Sequence, residues 1–257
     1  MVSVLVAGVG GALLVAGQRN GRSGRPATRP VALDAAPVPD PAFTVGSPVP
    51  LHDGRHESRW APLRRRVAAR ARPSASAAVV AVLDRRTPEG TTSIVATLDR
   101  ATGPDGRIWV RARLPILPNG STGWLPRSAL GGYGTVTTRL VIDRRRLVAT
   151  LQRDGRAVWR APIGIGTDAA PTPAGVFFVR NRLSRYRSPF YGPVAFGTSA
   201  RSATLTDWPG GGFIGIHGTD RPDLIPGRVS HGCVRLRNAA ILRLARLMPV
   251  GTPIRII

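Results

Sequence analysis

His217-Gly-Thr-Asp-Arg-Pro-Asp-Leu-Ile-Pro-Gly-Arg-Val-Ser-His-Gly-Cys-Val-Arg-Leu-Arg237 holds the single cysteine of this 257-residue chain, Cys233, and two of its four histidines. A thiol becomes a strong nucleophile once deprotonated, and a nearby imidazole can take its proton. Two bases are within reach by sequence. His231 lies two residues from Cys233, on the same face if the segment is extended. His217 ends the apolar run Phe213-Ile-Gly-Ile and would arrive on a separate strand. Gly232 allows backbone N–H groups to approach a bound carbonyl closely, as an oxyanion hole needs. Two blander readings stand beside this one. A lone cysteine is often a small buried hydrophobe, and two histidines with one cysteine could be three zinc ligands. A structural zinc site wants a fourth ligand, and none is nearby. His52 and His56 lie far upstream, and nothing in the sequence ties them to this stretch. No metal or cofactor is expected.

Working outward, Asn238 to Met248 reads as the one helix. Asn238 stands at its N-cap, and Ile241, Leu242, Ala245 and Met248 form its apolar face. Pro249 and Gly251 stop it, and Ile254–Ile257 reads as a closing strand. Upstream, Leu140–Ile142 and Leu147–Gln152 read as strands, and Asp154-Gly155 is a hairpin signal before Ala157–Arg160. Asn181–Ser202, with Tyr186, Phe190, Tyr191 and Gly192, reads as a long aromatic loop. It is either a wall of a substrate groove or a surface loop packed on the core.

Ser230-His231-Gly232-Cys233-Val234-Arg235, preceded by His217-Gly218-Thr219, resembles the active-site motif of the YkuD-type L,D-transpeptidases. Pro162-Ile-Gly-Ile-Gly166 and Thr172-Pro-Ala-Gly-Val-Phe177 resemble further segments of that family, so the likeness covers 134–257. It implies a β-rich catalytic domain with one C-terminal helix, acting on peptidoglycan stem peptides. Cys233 would attack the carbonyl before a terminal D-Ala, releasing D-Ala and forming a thioester. His217 would be the base, oriented by the Gly218 carbonyl, and would hold Cys233 as a low-pKa thiolate. The N–H groups of Gly232 and Cys233 would hold the oxyanion. Ser230, His231 and Arg235 would shape the pocket, with Arg235 suited to a substrate carboxylate. A second stem peptide accepts the acyl group in a transpeptidase, and water accepts it in an L,D-carboxypeptidase.

The rest of the chain suggests how such a domain is delivered. Residues 1–17 are apolar and suit a signal-peptide h-region or a short membrane anchor. Arg19, Arg22, Arg25 and Arg29 follow that run and no charge precedes it, so a basic segment upstream of Met1 is expected. Residues 18–62 are rich in Pro, Ala, Arg and Gly and read as a disordered linker. Short strand-like runs separated by turn formers fill 63–131. The stretch around Trp109 and Trp124 resembles bacterial SH3-like domains, a small β-barrel in which the two rings serve as core or face a ligand. The whole is read as mainly β and exported to the cell envelope. The formal net charge of +23, all of its positive side chains Arg, is spread along the chain without a nucleic-acid motif. It suits anionic cell-wall polymers better than nucleic acid, and a non-catalytic basic protein that binds the wall or nucleic acid is the alternative to an enzyme.

Overall fold

A computed structural model of the chain describes residues 47–52, 56–184, 188–205 and 212–257. The apolar segment 1–17, most of the linker and Tyr186 lie outside the described residues. The fold is mainly β: eighteen strands in two sheets, with one α-helix among the described residues.

The first sheet comprises β1 (Val49–Pro50), β2 (Ser58–Pro62), β3 (Val67–Arg70), β4 (Val79–Leu83), β5 (Ile94–Thr102), β6 (Ile108–Arg113), β7 (Thr122–Pro126) and β8 (Gly134–Val136). Its strand order is β4-β3-β7-β6-β5-β2-β8, with β1 paired to β5. Two boundaries differ from the sequence reading. Residues 49–50 and 58–62, assigned to the linker, are strands, and Leu51 and Ala61 are buried in this sheet's core. Gly134–Val136, assigned to the catalytic domain, pairs with β2. Trp109 and Trp124 are both buried and cluster with Ala101, which settles them as core.

The second sheet comprises β9 (Thr138–Asp143), β10 (Val148–Arg153), β11 (Arg156–Pro162), β12 (Gly164–Gly166), β13 (Gly175–Leu183), β14 (Ala195–Arg201), β15 (Phe213–His217), β16 (Gly227–Ser230), β17 (Val234–Arg235) and β18 (Pro253–Ile256). The order is β11-β10-β9-β18-β13-β14-β15-β17-β12-β16. Strict alternation in β9 buries Thr138, Leu140 and Ile142 on one face, as a half-buried strand requires. Asp154 and Gly155 both take positive φ, 50° and 78°, and close the β10–β11 hairpin as the sequence implied. The aromatic loop is shorter than expected. Asn181–Leu183 belongs to β13 and Ala195–Arg201 is β14.

The helix α1 spans Asn238–Leu247. Its buried face is Ile241, Leu244, Ala245 and Met248, the i, i+3, i+4, i+7 stripe of an amphipathic helix. Leu242, placed on that face from sequence, is 41% exposed. The N-cap residue is Arg237, with no side-chain cap. Asn238 is spent elsewhere, as described below.

Both sheets belong to one compact unit, Pro41–Ile257. Trp60 of β2 lies so close over Gly134 and Gly251 that a Cβ at either would stand 2.4 or 2.1 Å from its ring. Polar contacts join the sheets at a second place, around Glu89 and Asn119.

Candidate active site

The site forms where β15 and β17 run parallel, with Ile216 opposite Val234 and His217 opposite Arg235. Cys233 immediately precedes β17. Its Sγ accepts a hydrogen bond from the Gly215 N–H at 3.3 Å. A Cβ added at Gly215 would lie 3.7 Å from both Cys233 Sγ and His217 Cδ2, so sulfur and imidazole flank the same backbone position. His231, nearer in sequence, is exposed at the rim of the cleft that His217, Cys233, Arg235, Phe190, Tyr191 and Phe213 also line.

His217 is 1% exposed. Its Nδ1 is 2.6 Å from the Gly218 carbonyl, which can only accept, so Nδ1 carries the proton and Nε2 is left as the basic nitrogen. Burial depresses the imidazole from 6.5 to about 4; the Gly218 bond opposes this and the Arg235 charge adds to it. Burial also raises the Cys233 thiol, against the Gly215 N–H and Arg235, which pull it down. Burial therefore works against both the imidazolium and the thiolate. The expectation of a standing low-pKa thiolate is corrected by burial, which penalises both charged forms.

The Gly218 carbonyl is held by close packing. Gly192 has φ 65°. A Cβ there would lie 2.4 Å from Asn238 Oδ1 and 2.7 Å from Gly218 Cα, and one at Gly218 would meet the same amide oxygen at 2.3 Å. Asn238 Oδ1 accepts the Thr219 N–H at 2.9 Å. The first helix residue thus pins the turn that orients the histidine.

The cysteine loop is tied down from the other side. Ser230 Oγ donates to the Cys233 carbonyl at 2.6 Å and accepts the Gly232 N–H at 3.1 Å. Ser230 therefore braces the loop. The Gly232 N–H, expected to serve the oxyanion, is engaged by Ser230 Oγ. Thr172 Oγ1 accepts the Gly166 N–H at 2.9 Å and donates to the Gly232 carbonyl at 2.7 Å. Gly232 has φ 114°.

Phe190 and Tyr191 form a 3-10 turn, Pro189–Tyr191, beside the imidazole. The Tyr191 ring centroid lies 4.8 Å from that of His217, nearly edge-on, and Phe190 lies at 6.0 Å. Arg235 is buried, with its guanidinium 4.5 Å above Phe190. Its Nε has no hydrogen-bond partner among the described residues. Sequence reading did not single out Phe213, Asn238 as a support, or the Thr172 brace. Among the described residues no cluster of three metal-ligating side chains occurs, and no helix is long and apolar enough to cross a membrane.

The profile of the L,D-transpeptidase catalytic domain (YkuD) matches residues 137–256. The YkuD protein of Bacillus subtilis (strain 168) is 32% identical over 122 residues, covering 48% of this chain and 67% of that protein. The Bacillus licheniformis YkuD protein is 31% identical over the same span. Among solved structures, the catalytic domain of an Enterococcus faecium L,D-transpeptidase is 26% identical, with a TM-score of 0.36, covering 47% of this chain and 96% of that one. A Bdellovibrio bacteriovorus structure is 30% identical, with a TM-score of 0.38, covering 48% of each chain, so the match spans about half of that protein. His217 and Cys233 lie well inside the 137–256 match, and by it the chain belongs to the YkuD-type L,D-transpeptidase catalytic-domain family.

Proposed function

We propose that this chain is a cysteine-dependent L,D-transpeptidase that joins peptidoglycan stem peptides through a thioester. One observation carries the reading: a buried imidazole with Nδ1–H fixed on the Gly218 carbonyl, and so Nε2 basic, beside the only thiol. Substrate binding brings an amide carbonyl to Cys233. The thiol proton passes to His217 Nε2 as the sulfur–carbon bond forms. The Cys233 N–H and the buried Arg235 offer positive potential to the oxyanion. Collapse breaks the carbon–nitrogen bond. The Nε2 proton goes to the departing D-Ala amine, leaving the thioester. An acceptor amine then adds, gives its proton to Nε2, and the thiolate leaves and recovers that proton.

The upstream sheet is proposed to be SH3-like, and the chain to act outside the cytoplasmic membrane, where its Arg-rich surface would favour anionic wall polymers. The proposal is tested by mass spectrometry of products after incubating full-length protein with a muropeptide carrying a tetrapeptide stem. Cross-linked dimer with free D-Ala is expected. A trimmed tripeptide alone would make the enzyme an L,D-carboxypeptidase, and unchanged substrate would refute acyl transfer to either acceptor.

A further inference from the structure

Two loops of the upstream sheet reach the catalytic pocket through a continuous set of contacts. In loop 87–91, Glu89 Oε1 accepts from Arg180 NH2 at 2.9 Å, and Oε2 accepts the Asn181 amide at 3.1 Å. Asn181 also donates to Thr91 Oγ1 at 3.0 Å and accepts the Gly197 N–H at 3.0 Å. Arg180 sits at a register shift between β13 and β14. Such bulges re-aim a side chain, and this one sends Arg180 toward the other sheet. Its guanidinium lies 3.6 Å from the Phe213 ring centroid, while its Nε donates to the Thr198 carbonyl at 2.7 Å. Thr198 Oγ1 in turn donates to the Ile214 carbonyl at 2.7 Å.

Loop 117–120 acts at the other end of β14. The Asn119 side chain donates to the Arg201 carbonyl at 2.8 Å and accepts the Arg201 N–H at 2.9 Å, as a neighbouring strand would. Arg201 covers the Phe213 ring at 4.6 Å. Phe213 thus lies under two guanidiniums: that of Arg180, paired to Glu89 of one upstream loop, and that of Arg201, whose backbone is held by Asn119 of the other. It is also a lining residue of the cleft that contains Cys233 and His217.

We propose that the upstream sheet is a working part of the active site: Glu89 and Asn119 are positioning residues that set the place of Phe213, and with it the pocket wall against which the stem peptide is held. Arg180 is almost wholly buried, and a buried guanidinium needs its acidic partner. The link is therefore not an incidental surface contact. An upstream module serving only as an attachment device would need neither loop.

The kinetic part of the test rests on the acyl-transfer reading above; a labelling part does not. Full-length wild type, Glu89→Gln, Asn119→Ala and Phe213→Leu are compared with the doubles Glu89→Gln/Phe213→Leu and Asn119→Ala/Phe213→Leu. Melting curves identify folded variants. Asn119→Ala leaves the Arg180–Glu89 pair intact, so it serves if Glu89→Gln does not fold. Each single upstream variant is expected to raise the donor KM about fivefold, the size of one partly buried cation–π contact. The kcat should stay within about twofold, because Cys233 and His217 are untouched. In the Phe213→Leu background the same substitutions should change nothing. The labelling readout is the ratio of Cys233 modification rates by a bulky N-aryl maleimide and by iodoacetamide. It should shift in both upstream variants and not in the doubles. An unchanged KM and labelling ratio, or an equal change in the Phe213→Leu background, overturns the proposal. If wild type shows no turnover, the acyl-transfer reading fails alone, and the labelling ratio still decides this one.

Discussion

Replacing His217 by Ala distinguishes two states of the free enzyme. Burial lowers the imidazole from 6.5 to about 4. At 1.36 kcal/mol per unit, that is about 3 kcal/mol against the imidazolium. The thiol is displaced upward from its ordinary value of 9.0. Burial thus opposes both charged forms, and a neutral thiol beside a neutral imidazole is the resting state expected. The assay is the rate of Cys233 alkylation by iodoacetamide across pH 4 to 11. Wild type should show a single rise with a midpoint above that of a free thiol. His217→Ala should move that midpoint by less than about one unit, since no standing ion pair is lost. Arg235→Gln should move it upward, because the Arg235 charge pulls the thiol down. A reactive plateau between pH 5 and 8 in wild type, abolished in His217→Ala, would refute the neutral pair.

Three further outcomes follow from the same geometry. His217 has a folded pKa below its unfolded one, so the unfolded chain binds the extra proton between about pH 4 and 6.5. Its contribution is complete above that window, and stability should fall by about 3 kcal/mol as pH drops through it. Urea melts of wild type against His217→Gln would check this, the variant losing that part of the slope. Asn238→Ala leaves the buried Thr219 N–H without its acceptor and should cost about 1–3 kcal/mol in urea melts. Asn238→Asp keeps an acceptor oxygen and should lose less. Gly192→Ala forces a Cβ to within 2.7 Å of the Gly218 backbone at φ 65°. It should destabilise by about 1–3 kcal/mol and lower kcat, measured as D-Ala release, by disturbing the carbonyl that holds His217.

The candidate pair, Cys233 and His217, stood out in the sequence because it is built from rare residues at motif spacing, and the structure places the two side chains beside Gly215. The β10–β11 hairpin was legible because Asp154-Gly155 tolerates two positive φ values in a row. What escaped was set by partners far away in sequence. Ser230 lines the cleft as read, but its hydroxyl also accepts the Gly232 N–H and donates to the Cys233 carbonyl, which only the folded loop reveals. The strand Ser58–Pro62 shows no clean alternation and lies among prolines and arginines. It is a strand because β5 and β8 flank it. Leu242 and Leu244 are equally apolar, and the helix axis relative to the sheet chose the second. Glu89 carries no local signal at all, since Arg180 is 91 residues away.

The pairing of β18 has a consequence for assembly. This four-residue strand lies between β9 and β13, parallel to the first and antiparallel to the second. Thr138 and Thr252, 114 residues apart, share a buried hydrogen bond beside it. Without 253–256, β9–β11 and β13–β17 have no common neighbour. Synthesis through Pro253–Ile256 must precede closure of the sheet, and so many non-local pairings make that closure slow. Until it occurs, no strand pairing ties β13 and the Cys233 flank to β9, and the two halves are linked through Ile163, the one residue between β11 and β12.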